Sequence, residues 1–92
     1  MRKELEEKAY EIIGKSFIDY WNDELKLVEE DSNIILVDNG KLCRFDTWED
    51  FCIEQGIISC EKVYNLSFNE EETKVVNELL KSLNMDLLCE EL

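Results

Sequence analysis

Asn33-Ile-Ile-Leu-Val-Asp-Asn-Gly-Lys-Leu-Cys-Arg-Phe45 is the stretch on which the reading of the fold turns. Asn39-Gly40 stands between two apolar runs. A type I′ turn needs positive φ at both central residues. Asn tolerates that region and Gly enters it freely, so the pair is the strongest short hairpin signal. A two-residue turn sets Asp38 opposite Lys41, Val37 opposite Leu42, Leu36 opposite Cys43, Ile35 opposite Arg44 and Ile34 opposite Phe45. With a side-chain period of two, Ile34, Leu36, Cys43 and Phe45 share one face, and Ile35, Val37, Leu42 and Arg44 the other. Both faces are largely apolar, so the hairpin is expected to be covered on more than one side.

Upstream, residues 24–30 (Glu-Leu-Lys-Leu-Val-Glu-Glu) fit two readings. They extend a preceding helix, or they form a strand in which Leu25 and Leu27 alternate with Lys26 and Val28. The strand is favoured, because a lone hairpin is marginal in water and a third strand steadies it. Residues 2–22 read as an amphipathic helix: Leu5, Ala9, Ile12, Ile13, Phe17, Tyr20 and Trp21 recur at spacings of three and four. Glu4–Lys8 and Glu11–Lys15 are i,i+4 pairs in the better orientation. Gly14 inside it costs about 1 kcal/mol against Ala unless something packs close to it.

Downstream, Thr47 followed by Asp50 is a loose capping box that opens a short helix, with Gly56 as its stop. Residues 57–66 fit a short strand through Tyr64, Leu66 and Phe68 or an irregular connection equally well. Ser67 with Glu70, or Asn69 with Glu72, caps a last helix whose buried stripe is Val75, Val76, Leu79, Leu80, Leu83 and Leu87. The expected fold is α+β: an N-terminal helix, a three-stranded antiparallel meander (about 24–29, 33–38 and 41–45), a short helix (47–55) and a long C-terminal helix (68–88). It reads as one compact domain over 1–92, with no repeat, no linker and no Pro.

The 92 residues carry 23 Asp and Glu against 10 Lys and Arg, a net charge of −13, with 45% hydrophobic residues. The acids are spread along the chain, so the body itself is acidic rather than a neutral domain with an acidic tail. Such a charge argues against direct contact with nucleic acid or an anionic membrane and points to a basic protein as partner. No apolar run approaches the roughly 18 residues of a membrane span. Met-Arg-Lys-Glu-Leu-Glu-Glu at the start has no apolar core of a signal peptide, so a cytoplasmic location is expected. Cys43, Cys52, Cys60 and Cys89 are then reduced thiols acting as small apolar groups.

Chemical equipment is sparse. There is no His, hence no Ser–His or Cys–His pair and no ordinary neutral-pH base. The glycines at 14, 40 and 56 are isolated, so no phosphate loop exists. The cysteines lack metal-ligand spacing, and Asp46, Glu49 and Asp50 do not follow a calcium-loop order but suit a helix start. No catalytic residue, metal or cofactor is expected, and the chain reads as a binding module rather than an enzyme.

Two acidic surfaces are candidates for a partner site. One joins Glu4, Glu7, Glu11, Asp19, Asp23, Glu24, Glu29, Glu30 and Asp31; the other is Glu70, Glu71 and Glu78. For any single acid, a solvated surface position is the commoner outcome. In size, charge and lack of catalytic residues the chain resembles phage-encoded anti-CRISPR and anti-restriction proteins, and immunity proteins that neutralise nuclease toxins. That resemblance covers no motif. It implies a nucleic-acid mimic that inhibits a basic nuclease or a CRISPR or restriction effector. The alternative is a structural or regulatory subunit that self-associates, as a homodimer for instance, or joins an assembly through Tyr20, Trp21 and the tail leucines. A small-ligand sensor would need a pocket of a few hundred Å³ between sheet and helices.

Overall fold

The computed structural model describes residues 2–21, 25–27, 34–37 and 40–88. In chain order these form helix α1 (Lys3–Tyr20), strands β1 (Leu25–Leu27), β2 (Ile34–Val37) and β3 (Leu42–Arg44), helix α2 (Trp48–Glu54), a 3-10 helix (Lys62–Asn65) and helix α3 (Glu70–Ser82). The fold is mostly helical, which corrects the α+β meander expected from the sequence. α1, α2 and α3 run 18, 7 and 13 residues, whereas the strands have only three, four and three.

Strands spanning about 24–29, 33–38 and 41–45 are therefore not the centre of the molecule. The strands pair in the order β1-β2-β3 as a short antiparallel ladder beside a helical body. The apolar run has the β-propensity to pair locally, and the strands pair over three or four residues each. Among the described side chains, the buried ones come from α1, α2, the segment 57–63 and α3, joined by Phe45 just past β3.

The register also differs by one residue. Ile34 pairs with Arg44, Ile35 with Cys43 and Leu36 with Leu42. Gly40, at the near end of β3, has φ 80°, the left-handed region that Gly enters without steric cost. On β3, Leu42, at 62% exposure, and Arg44 look outward, while Cys43 is half-buried against the core and Phe45 is buried. The expected cover on both faces is absent at Leu42. The Asp38–Lys41 pairing lies partly outside the described residues.

α1 is the spine. Ala9, Tyr10, Ile13, Gly14, Phe17 and Ile18 are its buried side, and both α2 and α3 pack on it. Against α2 the contact is aromatic. Phe17 meets Phe51 edge-on at 6.2 Å, and Phe51 meets Phe45 at 4.9 Å and Trp48 at 5.7 Å. Gly14 lies under the Trp48 ring: a Cβ there would overlap Cε3 and stand 2.7 Å from Cζ3. A second buried layer comes from Val76, Leu79 and Leu80 of α3 with Ile57 and Val63. Fully burying a side chain of the Leu or Phe class contributes about 1.5–3 kcal/mol, so each of these helical core residues is a substantial term in the folding free energy.

The helix ends follow the sequence closely. The Thr47 hydroxyl accepts the Asp50 N–H at 3.1 Å and opens α2. At its far end Gly56, with φ 66°, reverses the chain: the Ile57 N–H reaches the Cys52 carbonyl and the Gly56 N–H reaches Ile53. That pair of bonds is a Schellman motif, sealed by Ile57 and Cys52, both fully buried. α3 starts in the Asn69 register: the Asn69 side chain accepts from Glu72 N at 2.8 Å and the Glu72 carboxylate accepts from Asn69 N at 3.0 Å.

The expected helix 68–88 ends at Ser82. Asn84, with φ 58°, takes the left-handed position, and Met85 N–H to Leu80 O with Asn84 N–H to Lys81 O makes a second Schellman motif. Leu83 and Leu87, read as buried stripe, are exposed at 41% and 51%. Residues 85–88 instead turn back. The Leu88 N–H donates to the buried Asn77 amide oxygen at 2.7 Å, and the Tyr64 hydroxyl donates to the Asp86 carbonyl at 2.7 Å. The segment 57–66, open between strand and connection, is a set of turns leading into the 3-10 helix. Glu61, with φ 58°, precedes that helix.

Candidate functional site

The acids expected to form a partner surface are not gathered in the way the sequence suggests. On α1, Glu4, Glu7 and Asp19 are exposed and Glu11 is half-exposed. Lys8 and Lys15 share that outward side by helical spacing, and the Lys15 ammonium sits 3.6 Å from the Glu11 carboxylate. On α3, Glu70, Glu71 and Glu78 are exposed, but Lys74 stands 4.0 Å from Glu70 and Lys81 lies one turn beyond Glu78. Both helices thus present alternating signs, and such exposed pairs contribute little to stability. Asp23, Glu24, Glu29, Glu30 and Asp31 lie outside the described residues.

The structure assembles a different negative face on α2. Phe51 and Cys52 point inward and are buried; Glu49, Asp50, Ile53 and Glu54 point outward. Ile53 is 66% exposed, with a carboxylate on either side of it along the helix. No Lys or Arg occurs between Arg44 and Lys62. The nearest following cation is turned inward: the Lys62 ammonium donates to the Gln55 carbonyl at 2.9 Å and sits 5.8 Å above the Phe17 ring. The signal for this face, a base-free run from Phe45 to Glu61, is visible in the sequence. Glu49 and Asp50 read there only as first-turn dipole partners.

The field of this face reaches the core. Burial pushes the Tyr10 phenol up, and the negative charges of Glu49 on α2 and Glu6 on α1, with the Cys52 thiol, add to the rise. Burial and then Glu49 push the Cys52 thiol up to about 12. Its S–H donates to the Tyr10 carbonyl at 3.4 Å, the geometry of a structural thiol and not of a nucleophile. Cys43 is half-buried and Cys60 exposed.

Among the described residues, no three Cys, Asp or Glu side chains stand close enough to hold a metal ion. Among the described residues, two open grooves can be placed on the helices. One of about 270 Å³ lies between α1 and the start of α3, where the Ser16 hydroxyl donates to the Ser67 carbonyl. The other, about 370 Å³, lies between α3 and the returning residues 87–88. No helix is long and apolar enough to cross a membrane among the described residues.

Two aromatic side chains read as part of the α1 core stripe are at the surface. Tyr20 is 56% exposed and Trp21 38%. Their rings meet edge-on at 5.4 Å, and Trp21 leans on Phe17 at 6.2 Å. Comparison with family models, with curated proteins and with solved structures returns no match for this chain.

Proposed function

We propose that this chain is an acidic protein-binding module that captures a basic protein, acting as an inhibitor of one that works on nucleic acid. The observation that supports this reading is the outward side of α2: Glu49, Asp50 and Glu54 around an exposed Ile53, with no base between Arg44 and Lys62. A rigid helix carrying carboxylates around an apolar anchor has the elements of a protein contact. The charge steers encounter, and the buried apolar centre holds the complex. Nucleic-acid enzymes carry the complementary field, since they must neutralise phosphates.

The test is capture at low salt from the native host, with a Glu49→Lys/Asp50→Lys/Glu54→Lys variant as the subtractive control. The reading expects a basic protein that the wild type retains, that salt and competing DNA release, and that the variant fails to hold. Capture that ignores salt and the triple change would overturn it.

A second reading, self-association or assembly through an apolar patch, is favoured by the exposed Tyr20–Trp21 pair. Sedimentation velocity separates the two: an apolar dimer persists as salt is raised, whereas charge-led capture weakens.

A further inference from the structure

We propose that the end of α1, Tyr20 with Trp21, is an arginine-binding contact for the basic partner; this rests on the acidic-module reading. The two rings meet at 77°, so they form a corner that presents a π-face, and both remain exposed. The corner is held in place, because Trp21 packs on the buried Phe17 and its N–H is bonded to the Phe17 carbonyl. α1 has no basic residue in its own last turn, so no cation of the helix itself offsets the negative end of its 18-residue dipole. Asp19 is exposed in that same turn.

A cation already sits on this aromatic row one turn earlier, where Lys62 covers Phe17. Among the described residues no cation is found over Tyr20 or Trp21. A planar, weakly hydrated guanidinium satisfies all three features at once: ring stacking, the helix carbonyl end and a carboxylate. An ammonium fits the stacking less well. A second copy of this chain is the poorer occupant, since it would bring a net charge of −13 against another −13.

The test uses synthetic oligo-arginine and oligo-lysine of equal length, titrated at low salt into the full chain and into a Tyr20→Leu/Trp21→Leu variant. Leucine keeps apolar area and removes the π-face. The wild type should bind oligo-arginine about two- to five-fold more tightly than oligo-lysine. The variant should lose that preference and leave oligo-lysine binding unchanged. Tyr20→Leu alone, at the more exposed position, serves if the double change disturbs the fold. Equal binding of both peptides by the wild type, or a preference that survives the substitutions, overturns the arginine contact and leaves the acidic module standing. Failure of both peptides to bind overturns both readings. A dimer that disappears in the variant assigns the corner to a second copy and overturns the proposal.

Discussion

Gly14 of α1 lies directly beneath the Trp48 ring of α2, with Phe51 Cδ2 only 3.3 Å from where a Cβ would sit. The absence of a side chain is what lets the two helices approach. Trp48 cannot swing away, because Phe45 and Phe51 hold it at 4.7 and 5.7 Å. Gly14→Ala gains about 1 kcal/mol of helix propensity, but overpacking against an immobile ring costs about 1–3 kcal/mol or more. The expected outcome is a net loss of stability in urea unfolding, with Trp48 fluorescence altered in the folded state. An unchanged or raised midpoint would show that the helices are not seated on Gly14.

The buried thiol makes stability fall in alkali. Cys52 is fully buried and its folded value is near 12, against an ordinary value of 9.0. The native state therefore holds the proton longer than the unfolded chain does. The contribution is intact below about pH 9 and is lost as pH rises towards 12, at up to about 1.4 kcal/mol per pH unit. Tyr10, raised for the same reason, adds in the same direction. Urea melts between neutral pH and pH 11 should show the decline, and Cys52→Ala should reduce its slope while lowering stability overall.

The same burial predicts an order of thiol reactivity among Cys43, Cys52 and Cys60. Native protein treated with iodoacetamide should be alkylated first at Cys60 and last at Cys52, which should react only on unfolding. Peptide mass spectrometry reads the order directly. Early labelling of Cys52 would contradict the α1–α2 packing.

The returning segment is tied at two points of unequal strength. Asn77→Ala leaves the Leu88 N–H without its acceptor in a half-buried place, at a cost of about 1–3 kcal/mol. Tyr64→Phe removes only an exposed bond to the Asp86 carbonyl and should cost less. Hydrogen exchange at Leu88 should accelerate in the Asn77 variant and barely in the Tyr64 variant. Equal protection in both would show that packing of Met85 and Leu88, not the amide, holds the segment.

Asn69→Ala removes one half of the reciprocal cap and strands the Glu72 N–H, for about 1 kcal/mol. Glu72→Ala removes the other half, and the double change should cost less than the sum of the two. Additive losses in thermal melts would show that the two halves act independently.

What could be read in the chain beforehand was the local chemistry. Thr47, Gly56 and Asn69 act where their side chains or backbone freedom direct, because caps depend on residues a turn away. Whatever depended on distant partners was misread. The stripe on α1 was drawn through Tyr20 and Trp21, yet α2 and α3 approach from two sides and shift burial onto Tyr10, Gly14 and Ile18. The pairing of the run 34–37 with 42–44 is antiparallel as the apolar pattern suggests, but its register is one residue from the expected one, and Leu42, expected under cover, is exposed. The C-terminal leucines suggested a longer helix, whereas Asn84 reverses the chain first. As for the candidate site, counting carboxylates pointed to α1 and α3. The placement of lysines between them, and their absence from α2, is a matter of which charges share a face.

Lys62 has a consequence for anyone who modifies the molecule. Because its ammonium is held between the Gln55 carbonyl and the Phe17 ring, it is less open to reagents than the exposed lysines. Reagents that cap surface amines should therefore reach Lys8, Lys74 and Lys81 well before it. Partial acetylation would then strip away the interleaved positive charges of α1 and α3 and leave the scaffold standing. It would turn two mixed faces into uniformly anionic ones, a chemical route to a stronger ligand for cationic proteins without altering a codon.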